Sequence, residues 1–578
     1  MLPLIAKNIV QALEQGRSLE AASLIHQVVS DEADGLNHML QLGIFCASHG
    51  KLDEAIVILR SLADFNPDDI RIWYNLGLSY SLKGNHHDAV HCYRKALEIN
   101  PQDIEALTNL SSSLNDLALY DESIGIVEQG LAINQELAEL WSNYGIALNN
   151  VKQYEKAVFA YDQALKIDPQ FFQAWSNRSN PLRNLNMHDE ALASCDQAIK
   201  LAPDYAEAWV NRSIVLYEHK RFDEALVACG KAIGLKPDYF QAWLYRGSAQ
   251  RELKHYEQAL ASYDQTIALK PDYHDAYYNR GIVYQELKLY DKALAEYDKA
   301  IGLKPQAAKC FYQKSLMNIA LNEYDLATTN LEKAIEYNFD QKEHAEFVLS
   351  ALRPNDGLKP MPHDFAAELF NDYADRFEKH LVKELKYQSP EVLLTLLDGR
   401  LTGQLNILDI GCGTGLMGRL LKPHAATLTG VDISKKMLTK AEAFGAYDHL
   451  VENDIGQFLR QCEEQFDLVV SADVFIYIGE LDNIFKDLSR MIKKGGAFCF
   501  SVEKIESGLF SLSPKTLRFS HSRNYIDALA SLHNFKIVHC LENAIRLEEG
   551  KAVPGYYFLL EKLSEAHQTS SKQQNEVA

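Results

Sequence analysis

A chain of 578 residues is too long for one hydrophobic core, so at least two domains are expected. With 47% hydrophobic and 24% charged residues, the composition is that of soluble globular protein. A formal charge of -21 argues against nucleic acid or an anionic membrane surface as the general partner, because both select basic footprints. Nine cysteines lie scattered, at 46, 92, 195, 229, 310, 412, 462, 499 and 540, with no CxxC pair. That pattern predicts neither a disulfide framework nor a metal site, and a reducing compartment fits it best. Met1 to Val10 has no basic segment, and Lys7 and Asn8 interrupt its apolar run, so no signal peptide is expected. No apolar run approaches the roughly 20 residues that span a bilayer. A cytoplasmic protein is the expectation.

From Leu36 to Gln341 the same residue types recur every 34 positions, through nine units. One column is large and mostly aromatic: Met39, Trp73, Leu107, Trp141, Trp175, Trp209, Trp243, Tyr277 and Phe311. Four residues later stands a small residue, from Gly43 to Ser315, and twelve further on another, from Ala55 to Ala327. Proline closes most units, although Gln135 breaks that column. Aromatic and small residues at helical spacing, stopped by proline, predict two helices per unit that pack closely where the small columns meet. One such unit cannot bury its apolar face, so units must stack. Period and pattern resemble the tetratricopeptide-repeat (TPR) family, which implies an all-α TPR superhelix. Residues 1–35 read as a degenerate N-terminal repeat with Ala21 in register, and 342–362 as a closing helix and linker. Pro181 falls inside a helix, where it is expected to kink it or remove a hydrogen bond.

Two further columns bear on partners. Asn75, Asn109, Asn143, Asn177, Asn211 and Asn279 share one position. In the TPR family this position faces the concave groove, where a side-chain amide can both donate to and accept from an extended peptide. The alternative is that asparagine is simply common there. The next column is basic, with Arg178, Arg212, Arg246, Arg280 and Lys314. It reads either as a stripe for an acidic partner or as internal pairing with Asp162, Asp196, Asp264 and Asp298, sixteen residues earlier in each case but one. The constant offset favours pairing. Arg246 has Gly230 at that place and is expected to be the cation left for a ligand.

The segment Arg353 to His363, with three prolines and a glycine, reads as a linker. Beyond it, helix-length stretches alternate with short apolar strands, which predicts an α/β parallel sheet over 363–565, followed by a disordered tail over 566–578. Expected strands run from Asn406 to Ile410, Thr427 to Val431, His449 to Glu452, Phe466 to Ser471, Gly496 to Val502, Phe535 to Leu541 and Tyr556 to Glu561. The last two are expected to form a hairpin around Pro554 and Gly555. Behind the first strand comes Gly411-Cys412-Gly413-Thr414-Gly415, a turn in which glycine lets backbone approach a ligand. The second strand ends at Asp432, placed to accept hydrogen bonds from two ribose hydroxyls.

Gly413, Gly415 and Gly418 also spell GxGxxG, so a nicotinamide-dinucleotide fold is weighed. The run Leu408 to Gly415, with Asp409 ahead of the glycines, followed by Gly430 to Ser434, resembles class I methyltransferases far better. That resemblance implies a Rossmann-like α/β domain with a seven-stranded mixed sheet, and S-adenosylmethionine as cofactor. It places Asp409, Gly411, Gly413 and Gly415 at the methionine end, Asp432 and Ile433 at ribose and adenine, and Asp454 and Ile455 at the adenine edge. Phe370, Tyr373, Phe377 and His380 lie in a helix that lids the cofactor in related enzymes, or else simply packs. Tyr373 is expected to touch the cofactor. Together with Ala472 to Tyr477, Arg518 to Tyr525 and Arg546-Leu547-Glu548, these runs resemble bacterial TPR-containing methyltransferases of the type 11-like group, across nearly the whole chain.

The cofactor's methyl is electrophilic already, so catalysis there is chiefly placement, with a base needed only when the acceptor must lose a proton. Asp473, Tyr477, His521 and Tyr525 are the candidates, each weighed against a structural role. Three functions stay open: a methyltransferase whose array recruits a protein or peptide, a small-molecule methyltransferase similar to quinone or fatty-acyl carrier enzymes, and a scaffold that binds cofactor without catalysis.

Overall fold

The computed structural model describes residues 2–31, 34–378, 385–548 and 550–564. His380 and the segment 566–578, read above as a lid residue and a tail, lie outside them. The chain divides into two compact units, Met1–Val283 and Tyr284–Ala578.

The first unit consists of helical hairpins. Leu2–Glu14 pairs with Ser18–Asp31, Gly35–Ser48 with Leu52–Phe65, and the series continues to Phe240–Glu252 with Tyr256–Leu269. Each hairpin turns on a residue in the left-handed region: Gly16, Gly50, Gly84, Ala118, Lys152, Asn186, Lys220 and Lys254. The spacing of 34 extends to Gly16, which puts the degenerate first pair in register with the rest. Past Gly84 the position holds side chains that cost about 1 kcal/mol in this conformation, so helix packing, not glycine, imposes the turn. The helix Phe172–Asn184 continues through Pro181.

The aromatic column ties each unit to the turn before it. Trp73 Nε1 donates to the Pro67 carbonyl at 2.7 Å, and Trp175, Trp209 and Trp243 do the same to Pro169, Pro203 and Pro237. Trp141 bonds the Gln135 carbonyl at 2.9 Å, so the missing proline leaves this contact intact.

The small column is matched by the residue sixteen positions on. A Cβ at Gly77 would lie 2.9 Å from the Tyr93 ring, at Gly145 2.7 Å from Tyr161, and at Gly247 2.8 Å from Tyr263. Where serine replaces glycine, at Ser179 and Ser213, the residues sixteen positions on are the smaller Cys195 and Cys229, both fully buried. Gly145→Ser is therefore expected to destabilise the array by about 1–3 kcal/mol through overpacking. Adding Tyr161→Cys should cost less than the sum of the single effects. Denaturant midpoints of both singles and the double measure this, and strict additivity would disprove the coupling.

The second unit holds helices Tyr290–Leu303, Ala308–Ala320, Tyr324–Glu336 and Lys342–Leu352, then the α/β domain. Its strands are β1 (Leu405–Ile410), β2 (Ala425–Asp432), β3 (His449–Glu452), β4 (Phe466–Ser471), β5 (Ile492–Ile505), β6 (Phe510–Leu512), β7 (Phe519–Ser522), β8 (Phe535–Glu548) and β9 (Lys551–Lys562). Strands β3-β2-β1-β4-β5 are parallel, β9 runs antiparallel to β5, and β8 antiparallel to β9. All seven expected strands are present. Strands β6 and β7 are two more, an antiparallel pair joined to the C-terminal end of β5. They are too short and too rich in serine to carry an apolar alternation. The expected turn at Pro554 and Gly555 is corrected: both lie inside β9, and the hairpin turns at Gly550, with φ 78°. Gly555 serves close packing instead, since a Cβ there would lie 2.3 Å from Ile545.

Both faces of the sheet are covered. Phe475, Phe485, Phe498, Phe500, Phe535 and Phe558 form an aromatic core on one side, and Leu393, Leu397, Met417, Leu421 and Tyr557 fill the other. The closing helix Lys342–Leu352 also belongs to this unit's core. Its Phe347 and Ala351 pack with Leu512 and Phe519, and with Phe365 of the helix His363–Tyr373.

Candidate functional site

The loops at the C-terminal ends of β1, β2, β3 and β4 converge on one cleft, where strand order reverses beside β1. Its space, counting the open mouth and the solvent in it, is about 1100 Å³.

On the floor lies the glycine turn. Gly411, Gly413 and Gly415 all have positive φ, at 70°, 55° and 89°. A Cβ at Gly411 would lie 2.2 Å from Val474, so a side chain there is excluded twice over. Asp432 ends β2 with one carboxylate oxygen on the Gly413 N–H at 2.8 Å and the other on the Ser434 N–H at 2.9 Å. The second strand's acid thus fixes the first strand's turn. Burial raises the Asp432 pKa, and the backbone N–H groups pull it back. Ile433, Asp454 and Ile455 complete this end, with Gly411, Gly413 and Asp432. Asp454 also caps the helix Ile455–Gln461, accepting from Gln457 N at 2.9 Å.

Asp409, at the end of β1, and Gly415, the last residue of the turn, do not line the cleft. The Asp409 carboxylate accepts from Tyr447 Oη at 2.6 Å. The Tyr447 ring fills a slot in which a Cβ at Gly415, Gly418 or Gly430 would approach it to 3.1, 2.3 or 2.8 Å. Tyr447 carries no sequence signal of its own; the three glycines are its only trace. Burial pushes Asp409 up from 3.8 to about 7, with Tyr447 opposing. A carboxyl raised on folding contributes stability present at low pH and lost as pH rises through the folded value. Asp409→Asn is thus expected to match wild type near pH 4 and to be more stable above pH 7, by as much as about 4 kcal/mol. Thermal midpoints across that range check the sign.

The helix His363–Tyr373 covers the cleft. His363, Ala366, Phe370 and Tyr373, at one-face spacing, line it together with Phe377. Phe370 meets Tyr477 edge-on at 4.9 Å. Asn371 Oδ1 accepts from Ser434 Oγ at 2.8 Å and Lys436 N at 3.3 Å, which anchors the lid to the turn after β2.

The far end of the cleft is polar. Asp473, Tyr477, Arg518 and Arg546 line it, with Tyr387. Asp473 follows β4 in left-handed backbone, φ 60°, an uncommon state for a non-glycine residue. Arg546, with 2% of its side chain exposed, reaches Asp473 at 3.3 Å, Glu548 at 3.4 Å and Glu503 more closely. Arg518 pairs with Glu548. Ser501 Oγ donates to Asp473 at 3.2 Å. Burial pushes Asp473 up from 3.8 to about 6, and Arg546 draws it back. Among the four acid–base candidates, Asp473 and Tyr477 face the cleft. His521 is fully buried on the Gly479 carbonyl at 2.9 Å, with its pKa pushed down to about 4 by burial. Tyr525 Oη accepts from Leu481 N at 2.9 Å. Neither lines the cleft. Asp473 and Arg546 were each legible as parts of familiar runs, and Asp473 as an acid–base candidate, but their pairing across 73 residues was not.

In the repeats, Arg178 and Arg212 each lie 2.7 Å from Asp162 and Asp196, Arg280 lies 2.5 Å from Asp264, and Lys314 pairs with Asp298. The expected internal pairing is present at all four places. Among the described residues no carboxylate pairs with Arg246, whose guanidinium sits 5.3 Å from the Trp243 ring. Asn109, Asn143 and Asn211 donate to the preceding unit, at Tyr74 Oη, Ser111 Oγ and Ser176 Oγ. Asn75 and Asn279 donate to carbonyls four residues back in their own helices. Asn177 is half-buried in the same column.

Among the described residues no helix is long and apolar enough to cross a membrane, and no cluster of ligating side chains could hold a metal ion. Residues 408–500 match the methyltransferase domain family. Residues 70–103, 138–171, 182–240, 247–288 and 274–307 match tetratricopeptide-repeat families. The chain carries a methyltransferase domain and a tetratricopeptide-repeat array. It is 29% identical over 150 residues to a malonyl-[acyl-carrier protein] O-methyltransferase of Enterobacter lignolyticus, covering 26% of this chain and 58% of that one. It is 26% identical over 170 residues to a ubiquinone biosynthesis O-methyltransferase of Coxiella burnetii, covering 29% and 63%. The chain therefore spans little more than half the length of these relatives. A magnesium protoporphyrin IX methyltransferase from Synechocystis PCC 6803, solved with bound SAH, aligns with TM-score 0.28 and 17% identity over 35% of this chain and 99% of that one. Nothing further rests on a likeness of that size.

Proposed function

We propose that the protein is an S-adenosylmethionine-dependent methyltransferase whose repeat array recruits a protein or peptide acceptor. The Asp432 carboxylate gripping the Gly413 N–H carries the cofactor half of this reading. That arrangement opens backbone at Gly411 and Gly413 to a ligand and presents an acid at the end of the neighbouring strand. Thr414 Oγ1 on the same turn, and Ser471 Oγ at the end of β4, are buried without a partner among the described residues, which suits a polar ligand at this place. Asp409, Gly411, Gly413 and Gly415 would form or support the methionine end, Asp432 and Ile433 the ribose and adenine, and Asp454 and Ile455 the adenine edge. Tyr373, with Phe370, would close over it.

Bound there, the cofactor supplies an activated methyl group. The chain's own part is to orient the acceptor, exclude water with the lid helix, and take a proton when the acceptor has one to lose. Asp473 is the residue placed for that proton, since its pKa of about 6 leaves it ionised at neutral pH yet basic enough to accept. Tyr477 would orient the acceptor. His521 and Tyr525 would support the fold around them.

Recruitment rests on the array. Most of the asparagine column, Asn75, Asn109, Asn143, Asn211 and Asn279, spends amide hydrogens within the array, so Arg246, which among the described residues pairs with no carboxylate, would be the member of the basic column offered to an acidic partner. A second reading, methyl transfer to a small molecule, is favoured by the names of the relatives. Tritiated S-adenosylmethionine incubated with the chain and a cell lysate separates them. Label is expected in protein; label confined to small molecules would favour the second reading. Deleting the array should abolish labelling of a recruited protein and spare that of a small acceptor. The shortened chain should begin at Tyr284, which removes most of the array, rather than at His363, because a cut at His363 would strip Phe347 from the domain's core.

A further inference from the structure

We propose that Phe347, on the helix that closes the repeats, is a positioning residue for the cofactor cleft. The inference rests on the reading of the cleft as the S-adenosylmethionine site. Phe347 is fully buried and packs against two residues that each stand next to a lining residue of that cleft. Its ring lies 6.0 Å from Phe365, which stands on the lid helix one residue before Ala366 of the lining. It lies 6.3 Å from Phe519, which follows Arg518 of the polar end. A second link runs alongside, with His344 packed on Phe365 at 4.9 Å and its Nε2 3.1 Å from the Asp364 carboxylate.

The lid helix is held on its other side by Phe370 against Tyr477. Among its residues none is fully buried, and Asn371 makes its hydrogen bonds to the turn after β2. A short helix without a buried face of its own takes its position from what it leans on. Part of that support is a side chain of the closing helix Lys342–Leu352. Loss of Phe347 frees the lid and the start of β7, next to Arg518, together. Loss of Phe365 frees the lid alone.

The test measures S-adenosylhomocysteine affinity of the full chain by calorimetry. Phe347→Ala and Phe365→Ala are each expected to weaken binding roughly three- to thirty-fold, the size of effects carried through packed networks. Phe365→Leu keeps an apolar side chain against Phe347 and should restore most of the affinity, a rescue that general destabilisation would not show at a temperature where all the variants are folded. If Phe347→Ala fails to fold, Phe365→Ala decides alone, because its partner in the core stays in place. Wild-type affinity in folded Phe365→Ala would overturn the proposal. Absence of binding by the wild-type chain would overturn the cofactor reading, and this one with it.

Discussion

Replacing Asp432 with alanine is expected to weaken S-adenosylmethionine binding roughly ten- to hundred-fold, the value of about 1.5–3 kcal/mol for hydrogen bonds to a charged group. The structure adds a second cost. Asp432 is 8% exposed and holds the N–H groups of Gly413 and Ser434. Its loss leaves two backbone donors near the cleft floor unpaired, at about 1–3 kcal/mol each when water cannot reach them. The variant should therefore melt earlier as well as bind more weakly. Asp432→Asn retains an acceptor for one of those donors and should fall between the two. Calorimetry with thermal melts separates the effects, and unchanged affinity in Asp432→Ala would mean that the carboxylate does not touch the ligand.

Arg546→Met is expected to be the most destabilising single substitution at the polar end, by about 3–5 kcal/mol at pH 8. The guanidinium is the shared partner of Asp473 and Glu503, both nearly buried, and of Glu548. Its removal leaves carboxylates crowded in the interior with Arg518 as the remaining cation. The pH dependence has a definite sign. Asp473 already titrates near 6 because of burial, and losing Arg546 must raise it further. Protonation at pH 5 then removes part of the unpaired charge, so the gap from wild type should narrow as pH falls. Denaturant midpoints of both chains at pH 5 and pH 8 test it; a gap that widened in acid would show that the arginine does not act through these carboxylates.

Much of the fold was legible because repetition amplifies weak signals. One aromatic, two small residues and a proline mean little in a single unit, yet the same offset from Trp73 to Trp243 leaves no doubt. The Arg–Asp contact could be read from its constant offset of sixteen. The same offset also joins Gly145 to Tyr161 and Ser179 to Cys195, a correspondence of sizes that acquires meaning only once helix packing is visible. In the methyltransferase domain the glycine turn and Asp432 stood out, since backbone approach to a ligand restricts residue choice. Tyr447 did not, because a buried tyrosine filling a slot between glycines leaves no pattern in its neighbourhood. Asp473 and Arg546 are 73 residues apart, and nothing local couples them. Phe347 lies in a helix whose sequence reads as the end of the repeats, and its second role depends on contacts with Phe365 and Phe519 that no periodicity encodes.

The central claim is that the cleft above Gly411 and Gly413 is built for S-adenosylmethionine. Calorimetric titration of the full chain with S-adenosylmethionine, and separately with a nicotinamide dinucleotide, tests it most directly. Saturable one-site binding of the first and none of the second is the predicted result; tight binding of the nicotinamide cofactor, with no heat from S-adenosylmethionine, would contradict it.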